Sequence, residues 1–190
     1  DDINAIKARS LELLTNWNGD MMTGSPEPLI YSTWVETFIK MLLEDELSFN
    51  SSSANIASPL FLEKVLRNYE NAGTWCDIKH SDKIETCMEL SKKSLTKSLR
   101  TLQDEYGSDI EEWKWGEERR VLHPTFSVNG TLIPKFLQEI SSEIPGSTHT
   151  LNSTMLINAS KNSMAKASSF KMIIDFSSSG KNMFILPTGQ

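Results

Sequence analysis

Two Ser-Pro dipeptides, Ser25-Pro26 and Ser58-Pro59, punctuate the first part of the chain, and each is a helix start written into covalent chemistry. The serine hydroxyl can accept from a free amide of the first turn. The proline behind it has a helical φ already fixed and lacks the N–H that this turn would leave unbonded. Apolar residues recur at helical spacing after each start: Ile30, Trp34, Phe38, Met41 and Leu42 towards residue 47, then Leu62, Val65, Leu66 and Tyr69 as far as Gly73. Gly73 is expected to end its helix in the left-handed position. Ahead of them, Ile3, Ile6, Leu13, Leu14 and Trp17 predict a helix over 3–16 with Lys7, Arg9 and Glu12 in water, broken by Trp17-Asn18-Gly19-Asp20. A further helix is predicted from Ser81 or Asp82 through Ile84, Met88, Leu95, Leu99 and Leu102 to Tyr106, stopped by Gly107. Residues 1–107 therefore read as a helical subdomain.

The periodicity changes after Gly107. Trp113-Lys114-Trp115 and Val121 to Val128 read as short extended pieces, and Thr148 to Ile157 alternates weakly. Phe170 to Phe176 and Asn182 to Leu186 are strand-like runs joined by Ser177-Ser178-Ser179-Gly180, a hairpin signal. The Ser/Asn-rich stretch after residue 141 reads otherwise as polar loop. The fold class is α+β, a mainly helical subdomain over 1–107 followed by a β-rich segment over 108–190.

A chain of 190 residues can bury a core without help from metal. Its 19 Lys+Arg against 25 Asp+Glu give a net charge of −6, with no basic block to neutralise phosphates, so nucleic acid is not an expected partner. No run approaches the ~20 apolar residues of a membrane span. Asp1-Asp2-Ile3-Asn4 is unlike a signal peptide, so any export signal is expected upstream.

Cys76 and Cys87 are the only cysteines, and three arrangements suit them. A disulfide would tie down the loop after Gly73 and imply an oxidising compartment; closing so short a loop contributes about 2.5–3 kcal/mol in the chain-entropy view. A metal site of Cys76, His80 and Cys87 lacks an evident fourth ligand, and two buried thiols are the third arrangement. Cysteine counting favours the first.

Other candidates carry less. None of His80, His123 and His149 stands where it would activate a thiolate. His123, fixed in extended backbone by Pro124, reads as a hydrogen-bonding residue at a strand end. Asp104, Glu105, Asp109, Glu111 and Glu112 fall around an exposed helix end rather than in an acid–base pocket. Sequons at Asn50, Asn129, Asn152 and Asn158 matter only in a eukaryotic secretory protein. Trp17, Trp34, Trp75, Trp113 and Trp115 could line a groove, but large aromatics at helical spacing more often fill core. No complete catalytic site is expected from these residues.

Several strings, taken in order, resemble one family. Leu13-Leu14-Thr15-Asn16-Trp17-Asn18-Gly19-Asp20-Met21, followed by Ser25 and Leu29-Ile30-Tyr31-Ser32-Thr33-Trp34, is similar to the Leu-Leu-x-x-Trp-Asp-Gly and aromatic-x-x-Trp motifs of bacterial penicillin acylases (penicillin amidases), with Asn18 in the Asp position. Trp75-Cys76-Asp77, Glu85-Thr86-Cys87, Tyr106-Gly107 and Trp113-Lys114-Trp115-Gly116 resemble that family's β chain, although Arg119 replaces a frequent His. Pro145-Gly146-Ser147-Thr148-His149-Thr150-Leu151-Asn152 is similar to its Pro-Gly-Gly-x-x-Thr-Val-Asn segment. Ser168-Ser169-Phe170-Lys171-Met172-Ile173-Ile174-Asp175 is similar to its Pro-Ser-aromatic-Arg-x-x-x-Asp strand, with Lys171 for Arg.

The resemblance implies the C-terminal part of the β chain of an N-terminal nucleophile hydrolase, a four-layered αββα sandwich. Such a precursor cuts itself, and the new N-terminal Ser attacks amides with its own α-amine as base. That Ser is expected upstream of Asp1, so no catalytic, cofactor-binding or metal residue is assigned, and the disulfide pair Cys76 and Cys87 is the only site expected. The implied partners are the rest of the precursor, meaning the α chain and the N-terminal part of the β chain, with a small-molecule amide substrate in the intact enzyme. No cofactor is expected in this part. The implied location is periplasmic or secreted, which also favours the disulfide. A free-standing helical interaction module using its tryptophans is the rival reading.

Overall fold

The computed structural model describes residues 2–47, 58–79, 81–118, 120–124, 139–156, 165–167, 170–177 and 180–185. Helix α1 spans Asp2–Asn16, α2 spans Pro26–Leu47 and α3 spans Pro59–Leu66; a 3-10 helix, Tyr69–Cys76, follows, and α4 spans Cys87–Tyr106. Both Ser-Pro starts are used. Ser58 Oγ accepts from the Phe61 amide at 3.2 Å, and α2 opens on Pro26. With Asp1–Asn18 and Pro26–Trp113 as one compact unit, α4 supplies its spine. Leu90, Ser94, Leu95, Ser98, Leu99 and Leu102 are buried at helical spacing. They pack against Ile30, Phe38, Ile39, Leu42 and Leu43 of α2, and α1 adds Ile6 and Ser10. Each large apolar side chain buried in this way stabilises the fold by roughly 1.5–3 kcal/mol. Trp34 bridges α2 to α4 through Nε1, which donates to Ser91 O at 3.0 Å and Ser94 Oγ at 3.1 Å.

Between α3 and α4 the chain departs from its predicted course. The third helix ends at Leu66 rather than at Gly73, and the left-handed residues are Asn68, Glu70 and Asn71, with φ of 52°, 53° and 66°. Gly73 donates its amide to Asn68 Oδ1 at 2.8 Å instead of capping a helix. Leu66, the last residue of α3, and Tyr69, beyond the break at Asn68, stand exposed, while Phe61, Leu62 and Val65 face inward. The fourth helix starts at Cys87 and not at Ser81 or Asp82. Ser81 Oγ donates to Glu85 Oε1 at 2.7 Å and Asp77 Oδ1 accepts from Glu85 N at 3.1 Å, which keeps 81–85 folded back on Asp77. Thr86 and Glu89 then close a capping box. Ile84 and Met88, expected on the stripe, are consequently exposed.

The second compact unit is Gly19–Ser25 with Lys114–Gln190. Trp115 opens a one-turn helix, α5 (Trp115–Glu118), where an extended piece was expected. Among the described residues six short strands follow: β1 (Arg120–Pro124), β2 (Glu139–Glu143), β3 (Thr154–Leu156), β4 (Ala165–Ala167), β5 (Lys171–Ile173) and β6 (Met183–Ile185). They pair antiparallel as β1–β2, β3–β4 and β5–β6. The registers set His123 opposite Ile140, Thr154 opposite Ala167 and Met172 opposite Phe184. The described residues are thus mostly helical with small sheets, compatible with an α+β chain. The predicted hairpin is present as β5–β6, whereas β2 and β4 arise where polar loop was expected. Residues 125–128 of the second extended piece lie outside the described residues.

Candidate functional site

Cys76 and Cys87 are bonded, with Cα atoms 4.9 Å apart. Cys76 is fully buried in a cluster with Phe38, Leu42, Val65 and Leu90; Cys87, half-buried, is the first residue of α4 and not a turn or two inside it. Bonded sulfurs have no thiolate to offer, so neither the Cys76–His80–Cys87 metal site nor a cysteine nucleophile is available in this form. His80 and the His123 side chain lie outside the described residues, as do Asn50, Asn129 and Asn158. His149 stands exposed in a turn. Among the described residues no group of three His, Cys, Asp or Glu side chains is placed to hold a metal ion.

The acidic stretch is engaged in surface structure. Asp109 Oδ1 accepts from Glu111 N at 3.1 Å, and Glu111 pairs with Arg9 at 2.8 Å; Asp104, Glu105 and Glu112 are exposed. The strongest electrostatic perturbation lies at the start of α4. Glu89 is lowered to about 2, first by the Thr86 amide, then by hydrogen bonds from Lys83 and the Thr86 hydroxyl. This is a carboxylate fixed in a cap, not an acid–base group.

The tryptophans serve separate purposes. Trp113 is buried with Nε1 on Gly107 O at 3.0 Å, Trp75 meets Phe61 edge-on at 5.2 Å, and Trp17 lies against Tyr31 at 5.4 Å. Beside α3, a shallow depression is lined by Leu60, Glu63, Lys64, Tyr69 and Glu70.

The second unit gathers three strings that are far apart in sequence. The carbonyls of Met21, Thr23 and Ser25 accept, in turn, from Gly146 N at 2.8 Å, Gly116 N at 2.8 Å and Trp115 N at 3.2 Å. Buried Trp115 donates from Nε1 to Gly146 O at 3.0 Å, and Asn152 Nδ2 donates to Pro145 O at 2.5 Å. Gly146 is required by space and by its φ of +98°, since a Cβ there would strike the Asn152 carbonyl; a Cβ on Gly116 would displace the Glu143 carboxylate and press on Thr23 Cβ at 2.9 Å. Reading by local period missed this node because its three backbone bonds join residues about 90–125 positions apart and the Trp115–Gly146 bond spans 31. Its only local trace is the pair of glycines beside Trp115 and Pro145. The arrangement is a backbone scaffold, without an exposed nucleophile.

In the hairpin, Asp175 is held below the ordinary carboxylate range, first by the Ser177 amide, which its Oδ1 accepts at 2.8 Å, and Asn182 Oδ1 accepts from Asp175 N at 3.1 Å. Asp175 thus shapes the turn between β5 and β6. Arg119 is outside the described residues.

The family model for penicillin amidase matches residues 2–190, and the chain belongs to the penicillin amidase family. Neither a curated protein nor a solved structure matches it. Among the described residues no helix is long and apolar enough to cross a membrane.

Proposed function

We propose that this chain is the C-terminal part of the β chain of a penicillin amidase-family amidohydrolase. In the intact enzyme it would serve the hydrolysis of linear amides, such as the side-chain amide of penicillins or of N-acyl amines. The observation that carries this reading is the family match, which runs through both units from residue 2 to residue 190. The nucleophile is the N-terminal Ser of the β chain, outside these residues. Its Oγ attacks the amide carbonyl while the α-amine takes the proton and passes it to the departing amine; water then releases the acid from the acyl-Ser. The α chain and the N-terminal part of the β chain complete the four-layered sandwich. β5–β6 supports this reading: Met172 and Phe184 on one face, and Ile173, Ile185 and Met183 beside Lys171 on the other, are all half-exposed. Strands apolar on both faces are those that a sheet buries between layers. The Cys76–Cys87 bond supports a periplasmic or secreted location.

Expression of the parent polypeptide tests it. The precursor should cleave itself ahead of a Ser and hydrolyse phenylacetyl or long-chain N-acyl amides, and replacement of that Ser by Ala should abolish turnover. A parent that hydrolyses no amide, or keeps its activity without the Ser, would overturn the reading.

A further inference from the structure

The turn between α3 and α4 is held in a conformation its own residues disfavour. Asn68, Glu70 and Asn71 all lie in the left-handed region, where a Cβ crowds the following carbonyl. Asparagine tolerates this region through its short polar side chain, but Glu70 has no such advantage. Such backbone persists only where its surroundings over-determine it. The side-chain polar restraints are Asn68 Oδ1 on Gly73 N, Thr74 Oγ1 on Asn71 O, and the ion pair of Lys64 with Glu70. All three are exposed, where water competes for their partners. Of Tyr69–Cys76 only Cys76 is fully buried, with Ala72 and Trp75 partly buried against the same cluster, so the hold of this turn on the core runs through one sulfur, one methyl group and one ring.

We propose that the Cys76–Cys87 bond is a redox-sensitive clasp on the strained turn 68–76, and that its reduction releases the turn while α1, α2 and α4 stay packed. The inference is independent of the amidase reading. The helices have their own means of support. Ile30, Leu42, Leu99 and Leu102 are buried on α2 and α4, and the first turn of α4 is capped by Thr86 and Glu89 without help from the sulfur.

Cys87 is the more accessible end. A thiolate of a dithiol reductant attacks Cys87 Sγ, breaking the Sγ–Sγ bond, and the departing Cys76 sulfur takes a proton. The second thiol of the reductant closes on the mixed disulfide and expels Cys87, which is protonated in turn. Two electrons and two protons pass to the protein, and the dithiol becomes a cyclic disulfide. Cys87 Sγ lies 3.8 Å from Val65 O on α3, outside the turn, so the new thiol finds an acceptor in place.

Amide hydrogen exchange of the chain, oxidised and after treatment with dithiothreitol, reads the effect segment by segment. Reduction should speed exchange over 69–76 by about tenfold or more while α2 and the second half of α4 change by less than about twofold. Equal loss along α2 and α4 would show a global staple, and no change anywhere would show an inert bond; either overturns the proposal. The variant Glu70→Gly/Asn71→Gly keeps the strain claim testable without removing a cysteine. Glycine adopts positive φ freely, so this turn should stay protected when the bond is reduced. Unaltered sensitivity in the glycine variant would remove strain as the cause.

Discussion

Ser10 sits on the inward face of α1, fully buried, and among the described residues its hydroxyl has no hydrogen-bond partner. A buried hydroxyl in that state is a cost, because water satisfied it before folding. Ser10→Ala should therefore raise stability by about 1 kcal/mol, read as a higher denaturant midpoint at unchanged slope. A fall in the midpoint would show that the hydroxyl is bonded. Glu89 makes a prediction of opposite sign at acid pH. Its carboxyl is held at about 2, mainly by the Thr86 amide, below the ordinary glutamate value of about 4.3. A depressed acid contributes stability above the unfolded-state value and loses it as pH falls towards the folded one. The stability gap between wild type and Glu89→Gln should accordingly be full at pH 6, shrink below pH ~4.3 and be nearly gone near pH ~2. A gap independent of pH would disprove the cap's ionic character.

At the scale of elements, glycines separate strain from space. Gly19 has φ +89° with nothing near its missing Cβ, whereas Gly146 combines φ +98° with the Asn152 carbonyl in the way. Gly19→Ala should cost about 1 kcal/mol through backbone strain alone. Gly146→Ala should cost more, about 2–3 kcal/mol, since relief requires moving the backbone that binds Met21 and Trp115. Equal thermal shifts for the two would deny the node its tightness. The starts of α2 and α3 were legible because proline and serine act within one turn, and β5–β6 because a Ser/Gly turn lies between two apolar runs. The stretches 67–79 and 81–86 were not legible. Their course is set by the Asn68 side chain on Gly73 N, by Asp77 and Ser81 on Glu85, and by the disulfide, none of which leaves a periodic trace. The Thr86-x-x-Glu89 box was present in the sequence and marks the true start of α4, but the helical spacing of Ile84 and Met88 outweighed it. β2 and β4 exist by pairing with β1 and β3, a relation that composition does not record.

For the whole molecule, function was legible only as a resemblance: strings such as Trp17-Asn18-Gly19 and Trp113-Lys114-Trp115-Gly116 pointed to penicillin amidases, and the family match covers the same span. Physics explains why the residues alone stop short. The node of Met21, Thr23, Ser25, Trp115, Gly116 and Gly146 works mainly through backbone amides and carbonyls, whose only mark in the sequence is the two glycines and the Trp115 indole. The apolar residues of β5–β6 stand half-exposed, and a covering layer for them belongs to the proposed sandwich. The account's central claim is that this chain supports an amidase without performing its chemistry. Amide hydrolysis by the purified 190-residue chain tests that most directly, with phenylacetyl and long-chain N-acyl amides as substrates and repurified protein as control. The account predicts no turnover above buffer. Turnover that follows the protein through repurification would contradict it and place a catalytic site within these residues.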